Sequence, residues 1–493
     1  MNDAVNPTWP APPAGGAGWL RAYLGCIGIA LAVGFLYDRT GALRSVLAIG
    51  GIVVLLLGLR DFRILGAAVV FLLPFVPTYF LSQGVAGISG QRILGAVIVL
   101  ALISLACALV LAPGRIRLPA WRPVCLAYVA LFVFAALNGA RFAPDTPDYF
   151  KALGVVTDTT AMAYLQVILF APSLVLAACA VMALVALNAR HPGWILAPLF
   201  ASAAVLALLV CWFATHADVT VTELGQQDAR RALSALGLHA NELGLLLNMA
   251  LAPALCALGA TRRLAPRITL MLLSLILMAG VLMTFSRGAF LGLGVVFLYA
   301  LFSGRGRNWP IYLLLALALV VALSSQSVVQ RATQGIGGED VDMISSGRVN
   351  EIWRPLLPEV LQHPVIGNGH AAILWSDAAR SRAILPVGHP HSAYLGSLLD
   401  VGIAGTLLTA LFFGHMWRMF GSAARRAGSA ALGGFFRGAA ACLPLLLVQG
   451  LTDDSFMPGF THAYLWLAYG AAVGVTQRRR LAHAPQASPQ PAA

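Results

Sequence analysis

Apolar residues along this chain fall into long uninterrupted runs, without the stripe of an amphipathic helix or the alternation of a half-buried strand. Runs of about 17 to 25 residues recur from end to end, and each can cross the ~30 Å hydrocarbon core as a helix. The pattern predicts helices near 18–37, 41–59, 63–82, 92–112, 121–140, 165–187, 193–214, 237–259, 267–285, 287–304, 309–326, 395–416, 432–450 and 460–477. The expected fold is therefore all-α, a polytopic integral membrane protein of about 12–14 transmembrane helices with a partly helical loop outside the bilayer. Its parts are a polar N-terminal tail (1–17), helices over 18–326, a long loop (327–394), three more helices over 395–477 and a C-terminal tail (478–493).

Orientation follows from the arginines. With both termini in the cytoplasm, the short inner loops hold Arg60, Arg63, Arg115, Arg117, Arg122, Arg190, Arg262, Arg263, Arg267, Arg305, Arg307, Arg418, Arg425 and Arg426, and the tail adds Arg478 to Arg480. That density on one side is the positive-inside pattern. Three longer segments, 141–164, 215–236 and 327–394, then lie outside. The last is too long for an ordinary connection, and such a loop is more often functional or disordered than idle. Its second half is rich in Trp, Leu, Pro and Ile, which predicts order, with residues 357–363 as a helix along the membrane surface.

Composition excludes several classes. At 59% hydrophobic and 10% charged residues, with a mean hydropathy of +0.82, the chain has no polar surface for soluble domains. The net charge of +13 forms no basic domain and points to anionic lipid, not nucleic acid. Lys151 is the only lysine among the 32 basic residues; arginine stays charged when partly buried and grips phosphate through paired hydrogen bonds. All seven cysteines (Cys26, Cys107, Cys125, Cys179, Cys211, Cys256 and Cys442) fall in apolar runs without metal-ligand spacing, so neither disulfides nor zinc are expected. The first residues lack a basic stretch before the first apolar run, which argues against a cleaved signal peptide.

Chemistry-bearing residues gather between 345 and 406, a stretch that holds Arg348, Arg354, His363, His370, Arg380, Arg382, His389 and His391. His391 stands just before an apolar run, where an imidazole can exchange a proton near neutral pH and activate a hydroxyl; an isolated His-Pro-His is otherwise a surface turn. His389 has no third partner at metal-site spacing. Arg287, in Thr-Phe-Ser-Arg-Gly-Ala, sits at the junction of two spans, where a cation is costly unless a partner or ligand meets it. Snorkelling or an interhelical salt bridge is the plainer account of it. Asp340 and Asp342, and again Asp453 and Asp454, are read first as acidic turns and second as sites for a cation. No glycine-rich nucleotide loop is present, so a transferred sugar would come from a lipid-linked donor.

Three sets of residues resemble the bacterial O-antigen ligase and polymerase superfamily. His391-Ser392, nine residues, then Gly402-Ile403-Ala404-Gly405-Thr406 fits the pattern His-Asn/Ser/Gln, nine residues, Gly-x-x-Gly-Thr. The outer loop runs from Ser346-Gly347-Arg348 through Trp353 and His363-Pro364 to Gly367-Asn368-Gly369, and upstream stand Asn241-Glu242-Leu243-Gly244 and Ser286-Arg287-Gly288-Ala289. The resemblance covers roughly 237–476 and departs in helix count, since such ligases usually have about twelve spans. It implies a glycosyltransferase of the bacterial inner membrane, facing the periplasm, that moves a glycan from undecaprenyl diphosphate to a hydroxyl with inversion, without metal, nucleotide or other cofactor. Arg287 and Arg348 would bind the diphosphate and His391 would act on the acceptor, with Arg354, His363, His370, His389 and Ser392 as substrate contacts. The acceptor is lipid A-core for a ligase, a growing glycan for a polymerase, or a protein serine in a related group; the Gly-x-x-Gly-Thr match favours the ligase. A transporter is the alternative from another class, but its charges should lie mid-span and in repeats, and here they gather at one end.

Overall fold

The computed structural model describes residues 61–78, 89–111, 116–189, 191–216, 236–303, 347–451 and 455–482, with isolated positions between them. Among these residues the chain is helical and contains no strand. The principal helices are α1 (Phe62–Leu72), α2 (Gly90–Leu111), α3 (Pro123–Phe142), α4 (Ala161–Asn188), α5 (Gly193–His216), α6 (Ala240–Ala260), α7 (Leu264–Leu282), α8 (Arg287–Ser303), α9 (Arg354–Gln362), α10 (Ala393–Arg426), α11 (Ala430–Gln449) and α12 (Ala463–Ala482). Eight of them are long and apolar enough to cross a membrane, which makes this an all-α, multi-pass membrane protein. The expected spans at 18–37, 41–59 and 309–326 lie wholly or almost wholly outside the described residues.

Local signals set the helix starts. The Asp61 carboxylate, Thr160 and Ser429 hydroxyls accept from backbone N–H groups in the first turns of α1, α4 and α11, and Pro123 opens α3 where a missing N–H costs nothing. Prolines inside α4, α5, α6 and α11 are tolerated where neighbouring helices re-satisfy the backbone.

The centre is α6. Its apolar window is 89% buried, against 28% for α2, whose Val99, Leu102, Ile103, Val110 and Leu111 are exposed. That exposed apolar face suits hydrocarbon. Two seams of small residues bring helices into backbone contact. On α11, side chains at Gly434 and Gly438 would overlap the backbone of α6 at Cys256–Ala257 and Ala252–Pro253; on α12, Gly470 and Gly474 meet α4 at Cys179 and Ala183 in the same way. Each pair has the small-xxx-small spacing by which membrane helices pack without a hydrophobic driving force.

At one end of the bundle the chain builds a cap with its own core. Phe150, from the segment after α3, and Tyr164, from the first turn of α4, pack with Ile352, Leu356, Ile373, Trp375 and Ile384 of the segment before α10. The helix expected over 357–363 is α9, which begins earlier, at Arg354, after a π-helical turn over Val349–Trp353, and ends at Gln362 with His363 as its cap.

Candidate functional site: three helix beginnings around Gln449

Two of the motifs form one unit. The Ser286 hydroxyl donates to Asn241 Oδ1 at 2.5 Å and accepts from the Ala289 N–H at 3.2 Å, so it caps α8 and ties it to the start of α6. Gly244 leaves room for Ala289 against it. From below, Asn248 Nδ2 donates to the Ala289 carbonyl at 2.8 Å, and Gln449 Nε2 donates to the Gly288 carbonyl at 2.9 Å. Arg287 is therefore the first residue of a helix whose opening turn is held from three sides. A cation there opposes the positive end of the helix dipole, and the pairing becomes favourable when an anion sits in front of both.

The end of α11 also holds His391. The Gly450 carbonyl accepts from the Ala393 N–H at 2.8 Å, so consecutive residues Gln449 and Gly450 anchor the starts of α8 and α10. Ser392 caps α10 by accepting from the Leu395 N–H at 3.4 Å and is only 8% exposed. Its role is to begin the helix, which suits the short polar residues of that motif position. Before it, His391 has φ +51°, and Phe285, before Ser286, has φ +47°. Left-handed backbone at a non-glycine residue costs about 1–3 kcal/mol and persists only where surroundings impose it.

Arg348 comes to His391 through the π-helical turn. Trp353 Nε1 donates to the Pro390 carbonyl at 2.8 Å, which fastens that turn to the His-Pro-His segment. The rings of His389 and His391 lie 4.1 Å apart, edge to face. Burial, then electrostatic interaction with His389, Arg348 and His239, pushes the His391 imidazolium down to about 3. His391 is thus a neutral imidazole in a positive neighbourhood. His239 opens α6, where Glu242 accepts from its backbone N–H at 2.7 Å. Three helix N-termini and the two sequence-marked arginine positions surround the end of α11, an arrangement suited to an anion.

The Gly-x-x-Gly-Thr motif does a different job. Gly402, at φ +63° and ψ −168°, breaks α10 in a conformation open essentially to glycine alone. The segment 364–369 crosses the break as a strap. Ile403 and Ala404 N–H donate to the Pro364 and Val365 carbonyls at 2.8 and 3.1 Å, while Asn368 and Gly369 N–H donate to the Leu399 and Asp400 carbonyls at 2.8 and 2.9 Å. Thr406 returns its hydroxyl to the Gly402 carbonyl at 2.7 Å. Five backbone groups at the break thus find partners, as irregular backbone at a membrane requires.

The other expected contacts are dispersed. His370 pairs its Nδ1 with Asp400 Oδ2 at 2.7 Å, stands edge-on to Phe132, and its carbonyl accepts from the Tyr164 hydroxyl at 2.7 Å; it locks the strap to α3, α4 and α10. Arg354 and His363 are exposed at the two ends of α9, and nothing brings them to His391. Asp340, Asp342, Asp453 and Asp454 lie outside the described residues. Among the described residues no three His, Cys, Asp or Glu side chains are grouped to share a metal ion. Sequence reasoning missed His239 and Gln449. A lone buried amide closing an apolar run was the available signal for the latter.

Fold and site define a multi-pass α-helical membrane protein with a cationic, histidine-bearing site at one end of its bundle. Residues 270–410 match the family model described as O-Antigen ligase, so this stretch of the chain is similar to that family. The stretch contains Arg287, Arg348, His391 and the Gly402–Thr406 motif. The chain has no significant match among curated proteins.

Proposed function

We propose that the protein is a glycosyltransferase of the bacterial inner membrane, with both termini cytoplasmic and its site facing the periplasm. It moves a glycan from undecaprenyl diphosphate to a hydroxyl acceptor and serves as an O-antigen ligase whose acceptor is lipid A-core. The carrying observation is the junction of His391 with Arg348 inside the matched stretch, fastened by the Trp353–Pro390 hydrogen bond.

In the proposed reaction the acceptor oxygen attacks the anomeric carbon from the side opposite the diphosphate. The new carbon–oxygen bond forms as the bond to diphosphate breaks, with inversion. The hydroxyl proton passes to the free nitrogen of His391, and the electron pair leaves with the diphosphate, whose growing charge meets Arg287, Arg348 and the helix N-termini. An imidazole held near 3 is always ready to accept but is a weak base. The donor's own negative charge offsets Arg348, so donor binding raises the basicity of His391 at the moment it is needed. Neither metal nor nucleotide takes part.

The test is a deletion strain that carries wild type or His391→Ala, with lipid-linked glycan and lipopolysaccharide analysed separately. Long glycan accumulating on the polyprenyl carrier above bare lipid A-core supports ligation. Single repeats on the core without long chains would make the protein a polymerase, the reading kept alive by the shared Arg and His elements. Unchanged pools with His391→Ala would remove that histidine from the mechanism and advance protein glycosylation or transport.

A further inference from the structure

A second polar cavity lies at the opposite end of the bundle. It is a small, partly open cavity of about 20 Å³ between the entry of α3, the middle of α10 and the end of α12, and its lining includes Trp121, Arg122, His415, Thr476, Gln477 and Arg480. α3 spans it and the catalytic end: Arg122 precedes its first residue, while Gly139 near its last turn touches the strap at Gly369. Twenty residues at 1.5 Å per residue put the two ends roughly 30 Å apart, the thickness of the hydrocarbon.

The cavity is built, not a gap between loops. Gln477 exchanges two hydrogen bonds with the Ala120 backbone, at 2.9 and 2.6 Å, and so staples the end of α12 to the entry of α3. Two buried polar atoms on the lining, His415 Nε2 and Thr476 Oγ1, have no hydrogen-bond partner among the described residues, and Thr476 is only 2% exposed. Orphaned groups of this kind are costly unless a ligand or water meets them. Both can donate, Arg122 and Arg480 flank them, and Arg122 and Arg418 act electrostatically on His415. No carboxylate is among the described lining residues. The requirement is an acceptor-rich anion at a bilayer surface beside a tryptophan, which is the environment of a lipid headgroup.

We propose that this cavity binds the phosphate of an anionic phospholipid from the leaflet opposite His391. The headgroup phosphate accepts from His415 and Thr476, the arginines neutralise it, and the acyl chains lie along α3 and α10. The site is separate from the donor-binding site and does not depend on the reaction proposed for it.

The experiment uses the full chain, delipidated in detergent and titrated with phosphatidylglycerol, phosphatidylcholine or inorganic phosphate, with retained lipid read by native mass spectrometry and thermal unfolding read alongside. Phosphatidylglycerol should be retained about tenfold more than phosphatidylcholine, and R122Q/R480Q should erase the preference. Thr476→Val, which keeps the side-chain shape, should also weaken retention and raise the lipid-free unfolding temperature by removing an unpaired hydroxyl; it carries the test if the double variant does not fold. Equal retention of the two lipids, or undiminished retention by the variants, overturns the proposal. Inorganic phosphate stabilising wild type as well as phosphatidylglycerol, and failing with R122Q/R480Q, would assign the cavity to a soluble anion and overturn the lipid.

Discussion

Gly402→Ala should open the strap without unfolding the bundle. The substitution meets two separate obstacles. At φ +63° and ψ −168° an alanine carries strain of about 1–3 kcal/mol. Its Cβ would also overlap the Val365 carbonyl and the Ile366 nitrogen, so the strap must move. That movement breaks at least the bonds from Ile403 and Ala404 to Pro364 and Val365, each contributing roughly 0.5–1.5 kcal/mol net. Together the local cost is roughly 2–6 kcal/mol, which at 1.4 kcal/mol per tenfold speeds local opening by about thirtyfold or more. Hydrogen exchange on peptides covering 364–369 and 403–406, in detergent or nanodiscs, reads that factor directly. Gly414→Ala is the control. It lies on the same helix with no atom within 4 Å of an added Cβ and should stabilise slightly, by about 1 kcal/mol. Unchanged exchange over 364–369 in Gly402→Ala would refute the idea that the strap and the break hold each other.

Arg287→Lys keeps the charge but loses the fork that grips two phosphate oxygens, and transfer by purified enzyme should fall about tenfold or more; full activity would remove that arginine from donor binding. Folded His391 sits at about 3 against 6.5 ordinarily, so the folded state takes up fewer protons than the unfolded chain between those values. The associated stability is intact above pH 6.5 and lost as pH falls through that window. Wild type should therefore lose more unfolding temperature between pH 7 and 4.5 than His391→Asn, whose side chain tolerates the left-handed backbone; equal losses would contradict the neutral imidazole. EDTA should leave transfer nearly unchanged, and strong inhibition would restore Asp340 and Asp342 as cation ligands.

What could be read from the sequence was whatever repeats over short range. Eleven of the expected spans correspond to described helices, because a continuous apolar run reports its own length. The match of Arg287, Arg348 and His391 to motif positions was equally visible, and the structure joins Arg348 to His391. Purpose inside the motifs was not visible. Gly402 sits in a run that reads as an unbroken helix over 395–416, and only the strap thirty-odd residues upstream explains the break. His370 looked like a site residue because histidine is chemically versatile, yet its carboxylate partner is Asp400, thirty positions away. The Gly434–Gly438 and Gly470–Gly474 seams escaped notice because glycines in an apolar run carry no sign of the helix they will meet. Gln449 stood out only as a lone amide in an apolar run, and its partner, the Gly288 carbonyl, belongs to a helix 161 positions earlier.

The strap has a consequence for biogenesis. Residues 364–369 leave the ribosome before the helix they cross, and synthesis runs from the N-terminus. The bare carbonyls and N–H groups around Gly402 are therefore never made in advance of their partners. About thirty residues separate strap and break, and because closure entropy grows only slowly with loop length the cost of joining them is modest. Formation of the cap segment and insertion of the final spans are in this way coupled by order of manufacture: the template arrives first, and the helix is born onto it.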